Sequence, residues 1–386
     1  MDLRFGYSHA SRVRTVAFAM ISATVLASCA AGSTSQAPAS GTVPPPPPAS
    51  TLPAASASPV ASPTLDASGQ GSQSAFEWVR SDIKGANEPA AKAVFAWSGG
   101  YIVTYQLGPT VFASRDGQAW GNGVALKPAG GDPFNFLAEG PKGLLGVSSI
   151  VGCQTGGSTC KVSPPLLWMS ANGSAWDQIQ DVSALGSDLL IAAAGGGKGY
   201  LIAGLKTLFY SADGRSWQST SGIQNLVRFT SAIADSGGFE VAGIVSASGG
   251  QSAAVWTSID GASWTQTVLG SIAADSEAQI HRVGKTLVVS DVVPNPTGPG
   301  TAWTSVDGKT WTKTDEEHPV FWSDGSRAVA LSDGVFVSTD GLSWTKVSTS
   351  GDSDYSPKGP YVDVAAMGPS GLLVCIGSVW LLLPPK

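Results

Sequence analysis

The chain has 386 residues, of which 48 are glycine and 13 tryptophan, and only 13% are charged. Short segments of β-branched and aromatic residues between so many glycines read as an all-β protein with many turns. The net charge is −6, or −8 when residues 1–28 are set aside and 19 Lys+Arg face 27 Asp+Glu. That sign excludes nucleic acid and an anionic lipid surface as natural partners.

At the N-terminus, Arg4, Arg12 and Arg14 precede the apolar run VAFAMISATVLA, Val16 to Ala27. The run is too short to cross a hydrocarbon core of about 30 Å but has the length of a secretory signal. It ends in LASC, Leu26 to Cys29, which resembles the lipobox of bacterial lipoproteins. The resemblance implies cleavage after Ser28 and a diacylglyceryl group on Cys29, so residues 1–28 are expected to be a lipoprotein signal peptide. Residues 29–74 are Pro/Ser/Ala-rich, with no aromatic residue and one charge, Asp66. Such a stretch has too little apolar surface to order itself and is expected to be a disordered tether. The folded domain is expected over 75–386, outside the cytoplasm and held to the cell envelope.

Within that domain one seven-residue pattern recurs six times: SRDGQAW at Ser114, SANGSAW at Ser170, SADGRSW at Ser211, SIDGASW at Ser258, SVDGKTW at Ser305 and STDGLSW at Ser338. Two residues before each serine stands an aromatic, and two strand-like runs precede that, so each unit reads as four strands. Repeats of this length belong to sheet-per-repeat architectures, above all propellers. The last unit, from Val362 to Leu383, has three runs and no box. FEWVRSD, Phe76 to Asp82, carries Trp78 and has only the linker before it. The expected fold is therefore a seven-bladed β-propeller of four-stranded antiparallel blades, with the N-terminal strand completing the last blade. Its fourth-strand tryptophans are 78, 120, 176, 217, 264, 311 and 344.

In each box the glycine supplies a positive φ, while Asp116, Asn172, Asp213, Asp260, Asp307 or Asp340 bonds its own turn. These repeats resemble Asp boxes (BNR repeats), known from sialidases, xyloglucanases, sortilin-type receptors and photosystem II assembly factors. The copies here are one residue shorter than the usual Ser-x-Asp-x-Gly-x-Thr-Trp. In those families the box is a turn staple remote from catalysis, so the resemblance implies a structural role. A sialidase reading lacks support: no Arg-Ile-Pro occurs, Arg115 and Arg215 lie inside boxes, Arg80 belongs to the closing strand, and those enzymes have six blades.

Because every box joins a third to a fourth strand, all six lie at one end of the ring, here called the box face. Binding is expected on the opposite loop face, over the central channel. Long connections are expected there at Ser148–Pro165, Val245–Ala253 and Val293–Gly300. Candidate ligand-face residues are Arg228, His281, Arg282, Asp315, Glu316, Glu317, Trp97 and Trp322; Tyr355 and Tyr361 flank a further loop. No residue is assigned as catalytic, and no metal or cofactor is expected. Cys153 and Cys160 are placed to form a disulfide in an oxidising compartment. The functional expectation is a monomeric binding or scaffold module whose partner is an envelope protein or a carbohydrate. The membrane is reached through the lipid on Cys29. The alternative is a glycoside hydrolase using paired carboxylates on the loop face, among them Asp132, Asp181, Asp188, Asp275, Glu277 and Asp363.

Overall fold

A computed structural model of the chain describes residues 75–84, 91–105, 109–126, 133–149, 151–153, 160–220, 223–273, 275–292, 300–316, 318, 321–331, 334–351, 364–376 and 378–385. Residues 1–74, with the expected signal peptide, tether and Cys29, lie outside them, as do Glu317, Tyr355 and Tyr361. The described chain is a seven-bladed propeller. Blade 1 comprises Ala91–Trp97, Gly100–Tyr105, Thr110–Ser114 and Val124–Ala125, and blade 2 Phe136–Gly140, Gly143–Ser148, Leu166–Ser170 and Asp177–Ile179. Blade 3 is Leu190–Gly196, Gly199–Gly204, Leu208–Ser211 and Gln218–Thr220, and blade 4 Leu226–Ala234, Phe239–Ala247, Gly250–Ser258 and Thr265–Ile272. Blade 5 is Glu277–Val283, Thr286–Val292, Gly300–Ser305 and Thr312–Glu316, and blade 6 Trp322–Ser323, Ala328–Leu331, Val335–Ser338 and Thr345–Val347. Blade 7 takes Val364–Gly368, Gly371–Ile376 and Ser378–Leu383 from the C-terminus and its fourth strand, Phe76–Ser81, from the N-terminus. First strands neighbour one another around the ring, blade 7 meeting blade 1.

The closing strand runs antiparallel to the last one, Glu77 opposite Leu383 and Ser81 opposite Val379. Blade 7 also has a fifth strand that the repeat count does not contain: Thr349–Gly351 pairs in parallel with Phe76–Trp78. It covers the outer edge of the closing strand, an edge that would otherwise be open to pairing with another chain. Gly351 fits there because it has φ 107° and no Cβ to strike the carbonyl of Trp78.

Each box is one hydrogen-bonded unit. In blade 3, Gly214 N–H donates to Ser211 Oγ at 2.8 Å, Ser211 Oγ–H donates to Asp213 Oδ1 at 3.0 Å, and that oxygen accepts Arg215 and Ser216 N–H, each at 2.8 Å. The same set recurs at Asp116, Asp260, Asp307 and Asp340. Asn172 keeps part of it in blade 2, where Gly173 N–H donates to Ser170 Oγ and Ser174 N–H donates to Asn172 Oδ1. All six serines are buried, and the six glycines have φ between 68° and 76°.

The tryptophan that follows does the joining. The buried hydrophobics fall into seven clusters, one per interface between adjacent blades, and each contains one fourth-strand tryptophan. Trp120 packs between blades 7 and 1, Trp176 between 1 and 2, and Trp217 between 2 and 3. Trp264, Trp311, Trp344 and Trp78 continue the series to the interface of blades 6 and 7. Trp78 and Trp217 are buried and the other five partly so; a fully buried indole takes about 150–250 Å² into its interface, several kcal/mol at about 25 cal/mol per Å². The box glycines bear on the preceding blade: Gly261 faces the Tyr210 ring and Gly214 faces Met169.

Trp78→Ala is expected to cost about 3–5 kcal/mol in chemical denaturation, the usual loss for emptying a buried tryptophan site. Deleting Phe76–Asp82 should lower the melting temperature far more than deleting seven tether residues; equal melting temperatures would contradict the closed ring. Gly261→Ala combines a positive φ with a Cβ driven into Tyr210. It should destabilise by more than about 1 kcal/mol, the cost of the backbone alone.

Candidate functional site

The two faces follow from the strand register. Turns between first and second strands share the box face, whereas second-to-third turns and blade-to-blade connections lie on the loop face. The loop face is uneven at blade 4. There the segment expected as a loop continues the sheet, with Val245 opposite Ser252, Ser246 opposite Gln251 and Ala247 opposite Gly250. Small residues that satisfy each other's backbone groups keep the ladder going to Ala247 and Gly250. In blade 2, Val151–Cys153 and Cys160–Val162 form a small hairpin with Cys153 directly opposite Cys160; the cysteine side chains are outside the described set. Cys375 is a buried free thiol whose pKa burial pushes up to about 12.

Inside the ring lies a cavity of about 290 Å³ lined only by first strands of blades 1 to 5. Phe95, Phe136, Leu137 and Ile191 to Ala193 make its apolar wall; Thr230, Ser231 and Gln279 stand in the rest. None of its lining residues is ionisable. Thr230 donates its hydroxyl proton to Ala278 O, and Ser231 Oγ accepts Ile280 N–H at 3.4 Å. The Gln279 carboxamide has no hydrogen-bond partner among the described residues. The cavity therefore offers an acceptor at Thr230, a donor at Ser231 and both at Gln279, opposite aromatic rings.

At the loop-face end of blades 4 and 5, Arg228 Nη2 donates to Ser276 O at 2.9 Å. Asp291, which closes the second strand of blade 5, has its pKa raised by burial and by the charge of Asp275, against the Ser276 hydroxyl and Lys313. Asp275 is exposed, so two carboxylates in unlike settings stand at this end of blade 5. Asp291 sits in a run, VVSDVV, that reads as plain strand, and only its register against Ala278 brings it to the mouth.

Several sequence candidates land elsewhere. Trp97 packs over Gly173, on the box face in the blade 1–2 interface. Trp322 is in the core between blades 6 and 7. His281 leaves the channel and packs on Phe321, ring centroids 4.4 Å apart; burial drives its pKa down to about 4 and keeps it neutral. Asp315 is exposed on the outermost strand of blade 5, opposite Thr301, and Glu316 follows it there opposite Gly300. Side chains alternate along a strand and outer strands lie far from the axis, which residue spacing alone does not reveal. Of the seven candidates among the described residues, Arg228 is the one at the loop-face end of an innermost strand; Asp315 and Glu316 are at that end on the outermost strand of blade 5.

Arg282 is at the box face, where its Nη2 meets Glu240 Oε1 at 2.6 Å and Asp235 Oδ2 at 3.1 Å. Burial raises the Glu240 carboxyl to about 7, with Arg282 opposing and Asp235 adding to the shift. Its Oε2 has no hydrogen-bond partner. This cluster ties blade 4 to blade 5, as Glu139 ties blade 2 to blade 1 by accepting Ser98 N–H at 2.7 Å. Among the described residues no three His, Cys, Asp or Glu converge as metal ligands.

No protein-family model matches the chain, and no curated protein matches it in sequence. Solved structures resemble it in outline. A streptogramin B lyase is 8% identical over 79% of this chain and 97% of its own, with a TM-score of 0.49. A functionally unknown protein from Desulfotomaculum acetoxidans is 12% identical over 74% and 89%, with a TM-score of 0.47. A virginiamycin B lyase from Staphylococcus aureus is 7% identical over 80% and 98%, with a TM-score of 0.44.

The titrating groups set opposite pH limits. Backbone N–H groups hold the box carboxylates below their ordinary range, Asp213 at about 2, so their stabilisation is present above about pH 4 and lost as pH falls toward 2. Glu240 has the reverse sign. Between its ordinary 4.5 and about 7 the folded state keeps a proton that the unfolded state releases, so stability falls as pH rises through that window. Buried His281 opposes it: held neutral with its pKa lowered to about 4, it adds stability as pH rises from about 4 to 6.5, so the two groups offset each other across most of the Glu240 window. In thermal unfolding from pH 2 to 8, Glu240→Gln should therefore turn the neutral limb upward relative to the parent chain, and Asp213→Asn, which copies Asn172, should remove only part of the acid limb. An unchanged neutral limb in Glu240→Gln would refute the assignment.

Proposed function

We propose that this chain is a lipid-anchored, extracytoplasmic Asp-box propeller of the cell envelope. It acts as a binding module that takes an uncharged part of a glycan, or a loop of an envelope protein, at the loop-face mouth. The observation that carries this reading is the channel cavity. Its Phe95 and Phe136 wall faces the hydroxyls of Thr230 and Ser231 and the free carboxamide of Gln279, a lining suited to neutral, hydroxyl- or amide-bearing groups. The blade 4 hairpin, whose ladder runs to Ala247 and Gly250 on the loop face, supports it by offering ordered backbone on that face. The Asp-box resemblance fits a scaffold whose repeated residues are structural, and the chain lacks the sialidase motifs. LASC at Leu26 to Cys29 supports the anchor and the envelope location.

One observation favours a second reading. Asp291 and Asp275, one raised by burial and the other exposed, form the unequal carboxylate pair that glycoside hydrolysis uses.

Gln279→Trp fills the cavity and separates these readings. Envelope glycans and proteins captured by the full chain should be lost at least tenfold in the plugged variant. Capture indifferent to Gln279→Trp would sink the channel as the binding site. Release of chromophore from a panel of chromogenic glycosides, abolished by Asp291→Asn, would favour the hydrolase; no release across the panel would remove it.

A further inference from the structure

The box face is not uniform around the ring. Four large hydrophobics among the described residues are exposed: Ile259 at 76%, Val306 at 77%, Val268 at 54% and Leu342 at 43%. Val268 is on the outermost strand of blade 4, and the other three are in box turns, on the consecutive blades 4, 5 and 6. At the second box position, blades 1 to 3 carry Arg115, Ala171 and Ala212 where blades 4 and 5 carry Ile259 and Val306. At the fifth, Gln118, Ser174 and Arg215 stand where blade 6 carries Leu342. No turn needs these aliphatic residues, because the box is held by its Ser, Asp and Gly.

A second fact concerns where the chain enters. Phe76–Ser81 takes the place that follows the box in every other blade, with Glu77 opposite Leu383. Phe76 N–H donates to Ser348 O at 3.0 Å. Residue 75 therefore meets the ring on the box side of blade 7, next to the aliphatic arc of blades 4 to 6.

We propose that this arc is a lipid-contact surface: Ile259, Val306 and Leu342 dip into the interface of the membrane that holds the chain, leaving the loop face turned outward. The proposal rests on the reading of Cys29 as the lipid attachment. A tether attached on the box side lets this face approach the bilayer, and three aliphatic tips give that approach a preferred arc. The chain's net negative charge directs it to a zwitterionic surface rather than an anionic one. The box carboxylates beside the tips are already satisfied by their own turns, as at Asp260, Asp307 and Asp340. A second copy of the chain fits less well. The three tips rise from separate polar turns, whereas a stable dimer buries about 1,200–2,000 Å² of continuous surface.

The test uses the full chain, produced with its lipid and reconstituted into phosphatidylcholine vesicles. Cysteine substitutions Ile259→Cys, Val306→Cys and Leu342→Cys, and Gly249→Cys at the loop-face tip of blade 4, are labelled with a polarity-sensitive fluorophore; labelling of the unaltered chain gives the background. The box-face labels should shift to the blue and be quenched by lipid-borne quenchers, and the label at 249 should do neither. Mass spectrometry reads Cys29 separately. An unacylated Cys29 overturns the anchoring reading, whereas an acylated chain whose box-face labels remain as water-exposed as that at 249 overturns this proposal. Concentration-dependent self-association with lipid-insensitive labels points to a second copy instead and also overturns it.

Discussion

The structure depends on a tryptophan lodged between two sheets. A four-stranded blade cannot bury both faces by itself, so it is stable only when stacked, and the stack has no ends only if it closes. The box fixes the tryptophan's approach. A buried serine, an Asx turn and a glycine with positive φ set the angle at which the chain re-enters the sheet, and the indole then fills the gap to the preceding blade. Trp120, Trp176, Trp264 and Trp311 secure the indole N–H as well, on Ser81 Oγ or on the box glycine carbonyl.

Closure falls on the one blade that has no box. There the turn is replaced by a chain crossing: Trp78 arrives from the N-terminus, and Thr349–Gly351 lies outside it as an added parallel strand. Two interfaces share this joint, since Ser81 Oγ also donates to Gly117 O in the box of blade 1. The joint also puts the start of the described chain on the box side of blade 7.

The faces divide the chemistry. Charged contacts at the box face, Ser98 with Glu139 and Arg282 with Glu240 and Asp235, cross from blade to blade and act as ties. The channel cavity carries no ionisable group, and its polar atoms retain hydrogen-bonding capacity. At the loop-face mouth of blades 4 and 5, Arg228, Asp275 and Asp291 add the charge the cavity lacks.

The sequence alone determined the strand count of a typical blade from the six boxes, and the seventh blade and the donation of Phe76–Ser81 to it from the unpaired runs at the two ends of the domain. Each follows from local chemistry, a turn that needs glycine and a tryptophan at a fixed distance after it. The parallel strand at Thr349–Gly351 carries no such mark, because Thr-Ser-Gly has no pattern and gains its place only from the free edge beside it. The site was less legible. Arg228 was recognisable, but Trp97, Trp322 and His281, chosen as channel residues, went into blade interfaces, and Asp315 and Glu316 to the outer rim. Which side of a strand faces the axis, and how far each strand lies from it, are set by the packing of neighbouring blades. The convergence of Thr230, Ser231 and Gln279 with Phe95 and Phe136 was therefore decided by ring closure, which brings together residues far apart in the chain.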